Sequence, residues 1–550
     1  MSNEALIDWT PVLERAEPTR RAPVLPSTER DAKEGKDLIA ELLRDQRDLS
    51  AVERFAQQHE HATAPVQSKY YRDLIPLTQP GPGEQYAFEV DLDACTGCKA
   101  CVTACHSMNG LDEHETWRSV GQIVSPVTPG PELPLMQMVT AACHHCAHPA
   151  CMDGCPVKAY DKDLLTGIVK HLDDQCIGCQ YCILKCPYDV PKYSASRGIV
   201  RKCDMCSSRL EKQEAPACVQ ACPNTAIRIT TVSRAQIEAR AQTPLVPSAP
   251  PSDYTLPSTV YRSKKPLPMP MHAGDATELE PAHSHMALVW TLVLTQFAAG
   301  GMLAASVVSI HGASNTACMA AIAAAVIHVI GMNCALLHLG RPMFAFRAIL
   351  GLRTSWLSRE VAAFGAVAAV DGAAVFVPAL LPLAALLSLV AVFCSAMIYA
   401  DTRRPFWRWS ISATRFFLTV LTTGSIGLLL SAACSAPSIL NACAAMAAVL
   451  CAVKLCVEVR FLQHAVAAGE SFDKKSALLM RDPLRTATTL RFATGLLGGI
   501  ALPLLAALFS AHAIAFAGAA LTLWLVSELS ERFLFFTAVV PLKMPGGLAR

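Results

Sequence analysis

The chain carries almost no excess charge of either sign. Its 550 residues set 47 Lys and Arg against 45 Asp and Glu, a formal net charge of +2. That balance argues against a nucleic-acid partner and against a strongly acidic one. An export signal is also missing. Arg20-Arg21 precedes Ala-Pro-Val-Leu-Pro instead of an apolar run, and reads as ordinary surface charge. Only 17% of the residues are charged while 52% are hydrophobic, and this average hides a split. Residues 1–85 form a polar, charged extension; 86–233 hold most of the cysteines. Residues 234–282 are rich in proline and serine, and 283–550 consist mainly of long apolar runs.

Sixteen of the 23 cysteines fall in four consecutive groups of four. They are Cys95/Cys98/Cys101/Cys105, Cys143/Cys146/Cys151/Cys155, Cys176/Cys179/Cys182/Cys186 and Cys203/Cys206/Cys218/Cys222. Groups one and three have the C-x2-C-x2-C-x3-C spacing of bacterial ferredoxins. Groups two and four keep both ends of that spacing and lengthen the middle. A proline follows the last cysteine in three groups (Pro156, Pro187, Pro223), where it fixes φ and turns the chain away. A cubane needs one soft thiolate per iron. A tight loop wraps three corners, and the fourth ligand comes from elsewhere. Four groups of four therefore predict four [4Fe–4S] clusters, an electron wire. Structural zinc also uses C-x2-C pairs, but the full ferredoxin run, present twice, disfavours it. A disulfide scaffold is disfavoured too, because clusters need reduced thiols.

The apolar half predicts eight transmembrane helices at 286–310, 316–338, 359–380, 382–400, 412–434, 438–460, 489–510 and 513–536. Basic residues precede the first helix (Arg262, Lys264, Lys265). They also follow the second (Arg341, Arg347, Arg353, Arg359), the fourth (Arg403, Arg404, Arg408, Arg415) and the sixth (Lys474, Lys475, Arg481, Arg485, Arg491). The turns after the odd-numbered helices carry none. The positive-inside rule then predicts a multi-pass protein of the bacterial inner membrane, its cluster region and both termini cytoplasmic. Thiolate-ligated clusters suit that compartment.

The motifs Cys95-Thr-Gly-Cys98-Lys-Ala-Cys101, Cys143-His-His-Cys146-Ala-His-Pro-Ala-Cys151, Cys176-Ile-Gly-Cys179-Gln-Tyr-Cys182 and Cys203-Asp-Met-Cys206 resemble the four-cluster iron–sulfur subunit of the dimethyl sulfoxide reductase family. Leu337-His338-Leu339-Gly340-Arg341-Pro342, Ser355-Trp356-Leu357-Ser358-Arg359-Glu360 and Glu528-Leu-Ser-Glu-Arg532-Phe resemble its eight-helix anchor. The chain thus resembles a natural fusion of two subunits, over about 86–233 and 284–540. The expected fold is an α+β double ferredoxin-like domain followed by an all-α eight-helix membrane bundle. The resemblance implies the ligand sets Cys95/Cys98/Cys101/Cys222, Cys203/Cys206/Cys218/Cys105, Cys143/Cys146/Cys151/Cys186 and Cys176/Cys179/Cys182/Cys155, the last lying nearest the membrane. It implies a separate molybdopterin catalytic partner and exchange with the membrane quinone pool, menaquinol or ubiquinol. Related polysulfide- and nitrite-reductase-type anchors could share the anchor motifs.

Quinol oxidation releases two protons with two electrons, so its site needs an acceptor for each hydroxyl near a cluster. His338 and Glu360 stand at the membrane edge on the cluster side and are the candidates, since histidine titrates near neutrality and intramembrane ionisable groups are functional by default. Interfacial helix-end residues would look the same. Arg341 and Arg359 read as topology signals or headgroup contacts. Asp371 lies about 16 Å deeper than Glu360, and reads as a proton path, a buried polar pair or a neutral hydrogen-bonded acid. Lys454 and Glu458, one turn apart, read as a pair that snorkels. Of the membrane histidines only His328 is deep, so a facing axial pair is missing and no haem is expected. The seven other cysteines show no ligand spacing and read as packing residues. His144 and His145 read as tuning or packing groups. Residues 31–60 carry an amphipathic helical pattern (Leu38, Ile39, Leu42, Leu43, Leu49, Val52, Phe55), a partner-docking element or a loose tail.

The expectation is a quinol-oxidising electron-transfer subunit whose cytoplasmic reductase uses nitrate or an S- or N-oxide. The same wire run in reverse, from a dehydrogenase to quinone, is one alternative. A redox-driven ion pump is another, disfavoured by the single deep acid Asp371, because ion paths usually show several intramembrane charges and broken helices.

Overall fold

The computed structural model describes residues 50–61, 68–126, 134–268, 270–312, 314–467, 469 and 471–546, with Ile39 and Leu43. Arg20-Arg21 and much of the amphipathic segment at 31–60 lie outside them. The chain divides into two units, Met1–Lys69 and Tyr70–Arg550. In the first, helix α1 (Ala51–His61) is described.

The second unit opens with a ferredoxin-like head. Strand β1 (Glu84–Asp91) pairs antiparallel with β8 (Ile227–Ser233), bringing the start and end of the cysteine region together. Burial of Phe88, Val90, Ile227 and Ile229 on this sheet drives the pairing. Strand β2 (Ser119–Val124) pairs antiparallel with β3 (Met136–Ala141). Two short hairpins, β4/β5 (Tyr160–Lys162 with Val169–His171) and β6/β7 (Lys192–Ser194 with Ile199–Arg201), lie between. Residues 234–282 wrap this head and complete its sheets. Strand β9 (Val260–Arg262) adds parallel to β1, and β10 (His272–Ala273) adds to β2.

Eight long helical segments follow among the described residues. They are α2 (Met286–Ile310), α3 (Ser314–Leu336), α4 (Trp356–Phe376), α5 (Leu381–Ala400), α6 (Trp409–Ser435) and α7 (Leu440–Leu462). The capped helix α8 (Phe472–Arg481) is shorter and precedes a broken seventh segment, α9 (Arg485–Leu496) and α10 (Leu502–Leu508). The last is α11 (Ala513–Thr537). Seven segments are long and apolar enough to cross a membrane by length and composition; the other, α4, carries Arg359, Glu360 and Asp371. Helix α4 stops at Phe376, earlier than the hydropathy suggests, because Pro378 keeps Val377 out of the helical region (φ −125°, ψ 88°). The seventh segment is interrupted by a π-turn at Leu497–Ala501 just ahead of Pro503, whose missing N–H would break an α-helical ladder there.

Head and bundle meet backbone to backbone. A Cβ on Gly340, after α3, would stand 2.1 Å from the carbonyl oxygen of Gly198, and one on Gly178 would stand 2.8 Å from the Gly340 nitrogen. Gly178 also has φ +70°, a conformation that favours glycine. Gly340→Val should therefore pry the head from the anchor. We expect faster proteolytic release of the head in detergent, with the helix content of the bundle unchanged by circular dichroism.

Candidate functional site

The head brings sixteen thiols together as the walls of four cavities. Cys95, Cys98, Cys101 and Cys222 line one, and Cys105, Cys203, Cys206 and Cys218 a second. Cys143, Cys146, Cys151 and Cys186 line a third, and Cys155, Cys176, Cys179 and Cys182 a fourth. Each joins three cysteines of one group to the last of another. Positive-φ residues make the wrapping possible, with Gly97 and Lys99 around Cys98, and Gly178 and Gln180 around Cys179. Among the described residues no three His, Cys, Asp or Glu side chains converge tightly enough to hold a single metal ion. The thiols surround volumes instead of a point, as the corners of a cubane require and a tetrahedral zinc site does not.

Side chains between the cavities fix their order. Arg118 interacts electrostatically with Cys101 on one side and with Cys105, Cys203 and Cys218 on the other. Lys202 lies between Cys203 and the Cys143/Cys151 wall. Tyr160 lies between Cys151 and the Cys155/Cys182 wall. At one end of the row Cys98 is the single exposed thiol of the sixteen. At the other, Cys179 packs against the bundle. Burial pushes the Cys105 thiol up to about 12 and those of Cys186 and Cys206 to about 11. Such thiolates require compensating positive charge, which iron supplies. His144 and His145 are fully buried and satisfy neighbours: His144 Nδ1 pairs with the Thr259 hydroxyl at 2.8 Å, and His145 Nδ1 accepts from the Val169 N–H at 3.1 Å.

The anchor's basic loops bind this head. The Arg341 N–H donates to Ile177 O (3.1 Å) and its guanidinium to Asp173 O (2.8 Å). Arg347 reaches Asp174 O, and Arg404 reaches Leu184 O. Lys185 of the head pairs with Asp401 at 2.6 Å, and the Tyr181 hydroxyl donates to Ile398 O at 3.1 Å. Arg341 is thus a docking residue, and Arg359 turns back onto Leu352 O and Arg353 O over the Trp356 ring.

His338 and Glu360 both lie on the head-side end of the bundle. His338, two residues beyond α3, meets the backbone of Cys179. Its ring packs edge-on to His285 at 5.1 Å. Burial depresses it to about 4, outweighing the Cys179 contact, so the ring is neutral. Glu360, in the first turns of α4, accepts a hydrogen bond from Ser395 of α5. Asp371 is 2% exposed and pairs with His328, 1% exposed, at 2.9 Å across α3 and α4. The contact joins Asp371 to a histidine on the neighbouring helix.

Sequence reasoning missed a larger group. Lys454 and Glu458 neither pair with each other nor snorkel. Lys454 joins Glu528 of α11, and Glu458 joins Arg491 of α9 at 2.6 Å. Arg491 also reaches Glu528 at 3.0 Å, while Glu531 pairs with Arg532 and lies 3.5 Å from Arg415. Four cations and three carboxylates are therefore buried among α6, α7, α9 and α11. Asp371 is not the lone deep acid, and the π-turn at Leu497–Ala501 packs on Trp524 and Cys451, one turn from Glu528 and Lys454. The signal was available in Glu528-Leu-Ser-Glu-Arg532, where charges interrupt an apolar run.

Residues 135–232 match the 4Fe-4S dicluster domain, and residues 280–538 match the DMSO reductase anchor subunit (DmsC). The B subunit of the anaerobic dimethyl sulfoxide reductase of Haemophilus influenzae is 35% identical over 188 residues, 33% of this chain and 91% of that protein. This protein belongs to the dimethyl sulfoxide reductase family. It fuses an iron–sulfur electron-transfer subunit to a membrane-integral anchor of the kind found in molybdoenzyme complexes. Thiosulfate reductase electron transfer subunit PhsB of Salmonella typhi is 34% identical over 155 residues, 28% of this chain and 80% of that protein. Hydrogenase-2 operon protein HybA of Escherichia coli O157:H7 is 34% identical over 196 residues, 32% of this chain and 59% of that protein.

Proposed function

We propose that the protein oxidises membrane quinol, menaquinol or ubiquinol, at the head-side edge of its bundle. Electrons then leave through four [4Fe–4S] clusters to a separate molybdopterin reductase. The observation that carries this reading is the row of four thiol quartets running from Cys179, against the anchor, to exposed Cys98. Bound clusters would supply the one-electron steps. The chain's own residues do the rest: Glu360 and His338 receive the two quinol hydroxyls, Ser395 orients Glu360, and the Arg341, Arg347, Arg404 and Lys185 contacts hold the head over that edge. Asp371, paired with His328, is a candidate for proton movement deeper in the bundle.

Cytoplasmic placement of the head is supported by the arginine bias, although Arg341, Arg347 and Arg404 also serve docking. Quinol protons would then be released where reduction consumes them, which fits a non-electrogenic nitrate or S-/N-oxide reductase. A reporter tag on the N-terminus that reads out as periplasmic would sink this orientation. Four segments organise the function: 1–85 for partner docking, 86–233 for the clusters, 234–282 as a connector that also completes the head's sheets, and 283–550 as anchor.

The test is anaerobic iron and sulfide analysis with electron paramagnetic resonance during quinol titration. About sixteen irons, reducible by quinol, are expected. Glu360→Gln should lower the quinol-driven reduction rate by ~10²–10⁴, the usual span for a positioned acid–base group, and leave reduction by dithionite unchanged. Sixteen irons that quinol cannot reduce would favour electron flow toward quinone, and zinc without sulfide would end the reading.

A further inference from the structure

Two joints between thiol quartets hold a buried cation, and the electron path alone demands neither. Arg118 is 2% exposed and ion-pairs with no carboxylate among the described residues. Its guanidinium lies over the Phe88 ring at 4.6 Å, and Nη1 donates to Thr140 Oγ1 at 3.2 Å. Thr140 Oγ1 donates to Ser119 O and stands 3.7 Å from Cys101 Sγ. The other two guanidinium nitrogens, Nε and Nη2, are buried without a hydrogen-bond partner among the described residues. Arg118 also lines the Cys105/Cys203/Cys206/Cys218 cavity. One side chain therefore forms the wall of one quartet and reaches the next through a single hydroxyl. Lys202 does the same at the following joint, with Nζ 3.7 Å from Cys143 Sγ and 2.8 Å from Cys203 O.

A guanidinium removed from water with two idle nitrogens is costly unless negative charge faces it. The negative charge on offer is that of the quartets, and it grows by one unit when a cluster there accepts an electron. Hydrogen bonds to cluster sulfurs and nearby positive charge both raise a reduction potential. Low dielectric enlarges the effect. Thr140 gives the guanidinium a fixed orientation, so the donors are aimed before the electron arrives.

We propose that Arg118 donates through Nε and Nη2 to the cluster of the Cys105/Cys203/Cys206/Cys218 quartet. There it raises the potential of that site, and through Thr140 that of the Cys95/Cys98/Cys101/Cys222 site. It thereby biases electrons toward the exposed end of the row. The proposal rests on the four-cluster reading above. Lys202 holds the corresponding place for the Cys143/Cys146/Cys151/Cys186 quartet.

The test is a redox titration of the purified full-length protein followed by electron paramagnetic resonance, a readout independent of turnover. Arg118→Met should keep about sixteen irons and make reduction of one or two sites at least tenfold less favourable. For a one-electron couple this is a fall of about 59 mV. Arg118→Lys keeps the charge but loses the fork, and should fall between parent and Arg118→Met. Lys202→Met should move a different site. Full iron with every midpoint unchanged would overturn the proposal, as would loss of iron from both Arg118 variants, which would make the residue structural. Failure of the four-cluster reading is separable, because the parent protein would then fall short of sixteen irons before any substitution.

Discussion

Cys179→Ser is expected to cut the head off from the membrane electronically while leaving it attached. Cys179 lies on a loop whose two neighbours, Gly178 and Gln180, hold positive φ. It is packed against the anchor and touched by His338. Serine is a hard, weakly acidic oxygen donor and replaces a thiolate poorly on iron. The variant should lose between one iron and a whole cluster from the Cys155/Cys176/Cys179/Cys182 quartet. Dithionite should still reduce the other three sites, whereas quinol should reduce them much more slowly, because the site nearest the quinol edge has been lost or stripped of an iron. Cys98→Ser, at the opposite end, should spare quinol-driven reduction of the remaining sites and stop delivery to an acceptor. If quinol reduces the Cys179→Ser head at the parent rate, electrons enter elsewhere and the proposed order along the row is wrong. The backbone contact of Gly178 and Gly198 with Gly340 does not involve the thiol, so the head should stay docked in both variants.

What could be read from the sequence was whatever repeats locally. The cysteine spacing identifies a cluster head because a cubane demands a fixed short-range ligand pattern, and the apolar runs identify the bundle because lipid demands about twenty apolar residues per span. One residue overrode hydropathy where a helix end shifted, at Pro378, and where a segment is interrupted, ahead of Pro503. Long-range pairings were not legible. Asp371 and His328 are 43 residues apart in the chain and meet because α3 and α4 are antiparallel; His338 and Glu360 sit about 15 Å nearer the head on the same two segments. Arg118 carries no sequence signal at all, since its role depends on two cavities assembled from cysteines on both sides of it. The arginine clusters were legible as charge, but part of their cause is the docked head as well as the membrane potential and lipid asymmetry that the positive-inside rule assumes.

The buried charges of the anchor give the largest expected effect on stability. All seven lie four to nine residues from the head-side ends of their helices, or about 6–14 Å into the bundle. Beyond them the packing between α6, α7, α10 and α11 is apolar, built on Leu429, Ala432, Leu440, Ala444, Ala506, Ala513 and Ala517. A transmembrane ion path needs polar groups through that second half. The group instead reads as a staple joining four helices, one of them broken. Lys454→Met should cost up to about 3–5 kcal/mol, the range for breaking a buried ion pair, because Glu528 would lose one of its two paired cations and keep Arg491 and the Thr419 hydroxyl. Glu528→Met should cost a comparable amount by removing the carboxylate that both Lys454 and Arg491 pair with. Lys454→Met combined with Glu528→Met should recover much of the loss, since Arg491 keeps Glu458 and the apolar pair fills the same space. Thermal unfolding in detergent of the two single variants and the double variant measures this coupling. A strongly non-additive cycle with quinol-driven reduction intact in the double variant would establish the staple. Additive losses accompanied by uncoupler-sensitive turnover of the parent protein in sealed vesicles would instead make these charges part of an ion path.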